Sequence, residues 1–207
     1  MKMIKSYKNL LLIIAGILLV GIFDAHARSI HEAKVSAPRP FDLVLGKSSL
    51  DDSKATWNKN NAEVTGQGYG EAKPSYIDND PDGVANERVQ LFDVSGLPLD
   101  RLQTARFGFF DNVLYLIKYQ FQEGADFDKI KSEVIMKYGP PQAHDGFGDE
   151  YYTWHFAGGV TLSLKKDFMG KHEMIFLHEP TLKLVQASNQ SVYRENLKKK
   201  AKVQNAF

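Results

Sequence analysis

Apolar and polar positions alternate, or recur at helical spacing, along most of the chain, and the changes of period mark out its elements. Phe41-Asp-Leu-Val-Leu45 reads as a short strand that turns at Gly46-Lys47. Ser48 or Ser49 then caps a helix through about Asn60, with Asp51 and Asp52 in the first turn, where the helix dipole favours anions. The apolar face of this helix is thin: Leu50, Ala55 and Trp57. Strand-like runs follow at residues 62–69 and 86–94. Residues 105–110 and 113–121 form the clearest hairpin, because Asp111-Asn112 supplies two turn-forming residues between aromatic and β-branched strands. In its second strand Val113, Tyr115, Ile117, Tyr119 and Phe121 point one way, and Leu114 and Leu116 the other.

The strongest helical signal lies over residues 126–138. Phe127, Ile130, Val134 and Tyr138 share one stripe, Asp126 caps the start, and Gly139 with Pro140-Pro141 ends it. A three-stranded meander is expected next, at residues 151–156, 160–165 and 173–178, with 142–150 as a polar loop. Beyond Pro180 a helix near 186–200 has few apolar positions, namely Val192, Tyr193 and Leu197. The order predicts an α+β fold: an antiparallel β-meander sheet, or sheets, with helices packed on one face. It also admits a tandem helix–meander repeat with halves at 41–121 and 122–180.

The N-terminus carries a different pattern. Lys2, Lys5 and Lys8 precede the apolar run 10–23, which ends near Ala25-His26-Ala27. This is the tripartite form of a secretory signal peptide, and the run is shorter than the roughly 20 residues a membrane span needs. Residues 1–27 are therefore expected to direct export, 28–40 to be a flexible leading segment, 41–180 to be the folded domain, and 181–207 to be a basic tail. The expected destination is the periplasm or the medium. No cysteine occurs, which excludes disulfide scaffolds, thiolate metal sites, cysteine nucleophiles and a lipid-anchored N-terminal cysteine. The net charge of +1 hides an uneven spread. Residues 181–207 hold six basic residues and one acidic one, whereas 28–180 hold 17 basic and 23 acidic. Nothing in this balance points to nucleic acid, and the Lys198–Lys200 run with Lys202 could touch an anionic surface only weakly.

Phe41-Asp-Leu-Val-Leu-Gly46-Lys-Ser-Ser-Leu50 ahead of a helix, and Lys137-Tyr-Gly-Pro-Pro141 followed by Tyr151-Tyr-Thr-Trp154, carry a resemblance. Over about residues 41–178 the chain resembles small periplasmic helix-plus-meander domains, such as the β-lactamase-inhibitor protein and the small outer-membrane assembly lipoproteins. The resemblance implies a binding module rather than an enzyme. The chain departs from the first in lacking disulfide-forming cysteines and from the second in lacking the lipid-anchor cysteine, and no functional residue carries over.

Three constellations could carry chemistry. Asp78, Asp80 and Asp82 before Gly83 match the first half of a calcium loop; Val89 stands where the bidentate Glu is expected, and Glu87 comes two residues early. The alternative is a solvated acidic turn. His144, Asp145 and Glu150 could serve a metal-dependent hydrolase, although no H-x-x-x-H or H-E-x-x-H spacing occurs. Finally, Tyr151, Thr153 and His155 are expected to face outward beside Thr161, Ser163 and Lys165, giving a sheet face able to bind a protein or glycan. No catalytic residue and no cofactor other than calcium is indicated. The functional expectation is an exported, non-catalytic binding module whose partner is a protein or envelope component. Its alternatives are the metal-dependent hydrolase and a calcium-stabilised structural protein.

Overall fold

Residues 36–72, 83–145 and 150–204 are described by the computed structural model of the chain. Their elements lie within the unit Pro38–Phe207. A 3-10 turn (Pro40–Asp42) leads to helix α1 (Leu50–Lys59) and then to strands β1 (Glu63–Ala72), β2 (Val84–Ser95), β3 (Leu102–Phe110) and β4 (Val113–Phe121). Helix α2 (Phe127–Tyr138) precedes β5 (Gln142–Asp145), β6 (Glu150–Phe156), β7 (Val160–Lys166) and β8 (His172–His178), and helix α3 (Glu179–Gln204) closes the chain. All strand pairs are antiparallel, in the order β1-β2-β3-β4-β8-β7-β6-β5. The α+β meander architecture expected from the apolar pattern is therefore present.

One row of paired residues crosses six strands on one face. Phe92 lies opposite Phe107, Phe107 opposite Ile117, Ile117 opposite Phe176, Phe176 opposite Leu162, and Leu162 opposite Trp154. All six are buried, and each such side chain contributes about 1.5–3 kcal/mol on full burial. Helices α1 and α2 cover this face. Trp57 of α1 packs its ring on Phe92 and Phe107 at 5.7 and 5.1 Å. Phe127 and Tyr138 of α2 pack on Tyr152 and Phe156 at 6.2 and 5.3 Å. Each helix starts from a side-chain cap: Ser49 and Asp52 form a capping box on α1, and Asp126 accepts from the Lys129 amide on α2.

Several expectations need correction. The helices do not all lie on one face. Helix α3 lies on the other, where Val185 joins Val89, Phe110 and Tyr115, with Leu182, Leu91, Leu116 and Leu177 around them. Buried Asn86 fixes the helix by donating to Ser188 Oγ (3.0 Å) and Asn189 Oδ1 (2.7 Å). The chain after residue 180 is thus a packed helix rather than a bare tail, and it starts earlier than its apolar spacing suggests. Pro180 sits in the first turn, where no intrahelical amide bond is lost. Residues 41–45 form no strand: the 3-10 turn and the irregular chain after it bury Leu43 and Leu45 instead. Ala55 is exposed, so Ser53 and Trp57 are the buried anchors of α1. Residues 142–145 form strand β5 where a loop is expected. Strand β4 does not alternate cleanly either. A register shift places Leu114 opposite Phe109 and Leu116 opposite Gly108, so the extra residue Tyr115 turns towards α3. A Cβ at Gly108 would come within 3.0 Å of Leu116 and 3.1 Å of the Tyr115 ring, which is why glycine stands there.

Trp57 is 2 % exposed and is the main apolar contact of a thin helix. Trp57→Ala is expected to lower stability by about 3–5 kcal/mol, read as a shift of the denaturant midpoint. Trp57→Phe is expected to cost less, because the indole N–H has no hydrogen-bond partner among the described residues.

Candidate functional site

Strands β4 and β8 join the two four-stranded meanders through five paired positions, Leu116–Leu177 to Gln120–Glu173. On the face that carries α1 and α2, the aromatic contacts of α1 lie on β2 and β3 and those of α2 on β6 and β8, and the stretch of sheet between the two helices is left open. Its floor is aromatic. Tyr119 meets Phe176 edge-on at 5.4 Å, and Phe121 and Met174 lie beside them. Residues 39–41 fill part of the gap, with Phe41 edge-on to Tyr119 at 6.1 Å. What remains is a cavity of about 520 Å³. One wall is α2, through Ile130, Val134, Glu133 and Lys137; the other is the loop Leu99-Asp100-Arg101 with Arg39 and Phe41.

The backbone of this second wall is strained. Six non-glycine residues among those described have positive φ, and four of them are Asp or Asn, which tolerate the left-handed region. The other two are bulky: Phe41 (φ 54°) and Arg101 (φ 58°). Both line the cavity. A left-handed conformation costs such residues on the order of 1–3 kcal/mol and persists only where the surroundings enforce it. The carbonyl of Arg101 accepts from the Gln122 amide at 2.8 Å, which ties the loop to the end of β4.

Charge is confined to the mouth. Lys129 on α2 and Asp100 on the facing loop form an exposed ion pair at 3.6 Å across the two walls, a contact of small energy. Below the mouth the floor residues Tyr119, Phe121, Met174 and Phe176 carry no charge, and burial pushes the Tyr119 phenol further above its ordinary value.

The six strand residues singled out by pattern do share one sheet face. Tyr151 pairs with Lys165, Thr153 with Ser163, and His155 with Thr161. They are not an open surface, however. Thr153, Thr161 and Ser163 are buried; Tyr151 and Lys165 are half-buried, and His155 alone is exposed. Alternation predicts the face but not what covers short side chains between larger neighbours. Tyr151 Oη and Ser163 Oγ share a hydrogen bond at 2.9 Å, and Thr161 donates to Glu179 at the start of α3.

Asp78, Asp80 and Asp82 lie outside the described residues, and Glu87 is exposed on β2. His144 and Asp145 lie on β5 opposite Tyr151 and Glu150. Glu150 accepts from Tyr152 Oη at 3.1 Å and stands 3.8 Å from both Lys131 and Lys166, so its charge is compensated by lysines. Among the described residues no group of three His, Asp or Glu could hold a metal ion. None of the cavity residues was indicated as a site by the sequence, and the alternating pattern at Phe41 points to a strand that the structure does not form.

His172 ends the covered face beside α2. Its ring lies 5.1 Å from that of Phe127, and its Nδ1 has no partner among the described residues. Burial, and then Lys166, hold its pKa below the ordinary 6.5. The unfolded chain therefore takes up this proton first, and the folded state loses stability as pH falls through the range below about 6.5. Thermal melts across that range should show a fall for the wild-type chain that is smaller in His172→Leu.

A family model described as the TP0088 domain matches residues 77–190. The match spans β2 to β8, α2 and the first half of α3, and leaves out α1, β1 and the Arg39–Phe41 part of the cavity wall. No curated protein and no solved structure matches the chain.

Proposed function

The chain belongs to the TP0088 domain family, and from its own sequence and geometry we propose that it is an exported, non-catalytic binding module of the cell envelope or of the secreted fraction, with its ligand site in the cavity over the β4–β8 seam. The observation that carries the reading is the cavity itself: it has an aromatic floor, and the two bulky left-handed residues of the described chain both line it. Backbone strain of this kind collects at ligand clamps. A concave apolar site of a few hundred Å³ with charged groups at its rim suits a small apolar ligand or the apolar end of a partner segment.

The architecture reads as two helix-plus-meander units in tandem, α1 with β1–β4 and α2 with β5–β8. The mirrored strand order supports that reading, which is also what the resemblance to the periplasmic helix-plus-meander domains implies. In a tandem of this kind the joint is where two helices fail to meet, and a cavity there is available to a ligand without disturbing either core. Export rests on the N-terminal pattern of residues 1–27. Among the described residues no helix is long and apolar enough to cross a membrane.

The test is a thermal-shift screen of small apolar-bodied compounds against the wild-type chain and Ile130→Trp. Ile130 is half-buried on the cavity wall, so an indole there occupies ligand space. The expected result is a ligand-dependent rise in Tm for the wild-type chain, through mass action on the folded state, and a rise at least halved in Ile130→Trp. Equal rises in both chains would place the ligand elsewhere. Fractionation of the producing cells tests export separately, and recovery in the cytoplasm with residues 1–27 intact would contradict it.

A further inference from the structure

Charge is distributed unevenly between the two walls of the cavity. On the α2 wall each acidic group has a dipole or a cation close by. The Asp126 carboxylate accepts from the Lys129 amide in the first turn of the helix, where the helix dipole favours an anion. Glu133 stands one turn before Lys137, the spacing at which opposite charges attract. Lys129 reaches across the mouth to Asp100, so the acidic residue of the facing loop is compensated as well.

Two cations are left over. Arg39 and Arg101 line the wall opposite α2 and are exposed. Neither side chain has an ion pair or a hydrogen bond with another described residue. Their backbones are nevertheless held. The Arg39 carbonyl accepts from the Asp42 amide at 3.1 Å in the 3-10 turn, and the Arg101 carbonyl accepts from the Gln122 amide at 2.8 Å. Side chains that start from fixed points lose less freedom on meeting a ligand, and the planar fork of a guanidinium matches a carboxylate.

The floor sets the rest of the ligand. Tyr119, Phe121, Met174 and Phe176 offer apolar surface, and a thioether adapts to an irregular chain. A cavity of about 520 Å³ lies within the range that buries most of a small organic ligand. A wholly apolar ligand leaves both guanidiniums without a partner, whereas a ligand charged throughout is desolvated against the aromatic floor at a cost. The charged lining comprises Arg39, Arg101, Lys129 and Lys137 against Asp100, Asp126 and Glu133, and that excess of a single positive charge is cancelled by a monoanion. We infer that the ligand of this cavity is a medium-chain carboxylate, with its alkyl chain on the Tyr119–Phe176 floor and its carboxylate meeting Arg39 and Arg101 at the mouth. The inference rests on the reading of the cavity as a ligand site and adds the chemical class of the ligand.

The experiment is a calorimetric titration of the full chain at neutral pH with decanoate, decan-1-ol, decyltrimethylammonium and decyl phosphate, each below its micelle concentration. The expected result is that decanoate binds about tenfold tighter than decan-1-ol, with the ratio shrinking as salt is raised. Arg39→Gln and Arg101→Gln should each reduce that ratio about threefold, and the double variant should bring it close to one. Affinity for decan-1-ol should stay unchanged in all three, which also establishes that the variants fold. Lys137→Gln removes a charge of the same sign from the α2 wall and should leave the ratio intact. Equal binding of decanoate and decan-1-ol, both weakened by Ile130→Trp, would leave the cavity as a ligand site and overturn the carboxylate. So would a preference for decyltrimethylammonium, or for decyl phosphate by tenfold. A decanoate preference that survives in the double variant would overturn the assignment to Arg39 and Arg101. Binding of none of the four, or binding indifferent to Ile130→Trp, would instead remove the cavity reading itself, and this inference with it.

Discussion

Everything distinctive about this molecule depends on five paired positions between β4 and β8. They are the only strand pairing between the first meander and the second among the described residues. Because directly opposed residues share a face, the pairing of Ile117 with Phe176 also splices two apolar rows into one that runs from Phe92 to Trp154. That row gives both helices a common floor. It does not bring the helices together, since the aromatic contacts of α1 lie on β2 and β3 and those of α2 on β6 and β8. The cavity is the consequence: an aromatic stretch of sheet that its own helices leave open.

The opposite face is handled differently. There the seam is closed by α3, which sets Leu182 and Val185 against side chains from β2, β4 and β8. The bulge at Tyr115 makes this closure work, because it sends an aromatic ring to the α3 side from a strand whose other aromatic residues, Tyr119 and Phe121, line the cavity. Gly108 yields the space that ring needs. One face of the joint is thus sealed by a packed helix with buried polar ties at Asn86, and the other is left concave with strained loops at its rim.

Local signals carried a good part of this into the sequence. The stripe of Phe127, Val134 and Tyr138 with its Asp126 cap defines α2 to within a residue, and the Asp111-Asn112 turn defines the central hairpin. Strand alternation alone sets Tyr151, Thr153 and His155 on the same sheet face as Thr161, Ser163 and Lys165, and the pairing of β6 with β7 bears that out. What was not legible is everything decided at long range. The thin apolar pattern of α3 gives no hint that Leu182 and Val185 find a waiting cluster on a distant hairpin, or that Asn86 reaches over a hundred positions along the chain to Ser188. The cavity belongs to the same class. Tyr119, Phe121, Ile130 and Phe176 each look like ordinary core residues, and only the meeting of β4 with β8 turns them into the lining of one site. Phe41 and Arg101 were invisible for another reason: left-handed backbone at a bulky residue contradicts local preference and is imposed by the surroundings.

The claim that the groove over the seam receives a ligand is tested most directly by locating a bound probe. With methyl-labelled protein titrated with anilinonaphthalene sulfonate, a small apolar-bodied anion, the account predicts that the methyl resonances of Ile130, Val134 and Met174 move together and saturably. Those of Val89 and Val185, on the face closed by α3, should stay in place. Movement of Val89 and Val185 with Ile130, Val134 and Met174 unchanged would contradict it.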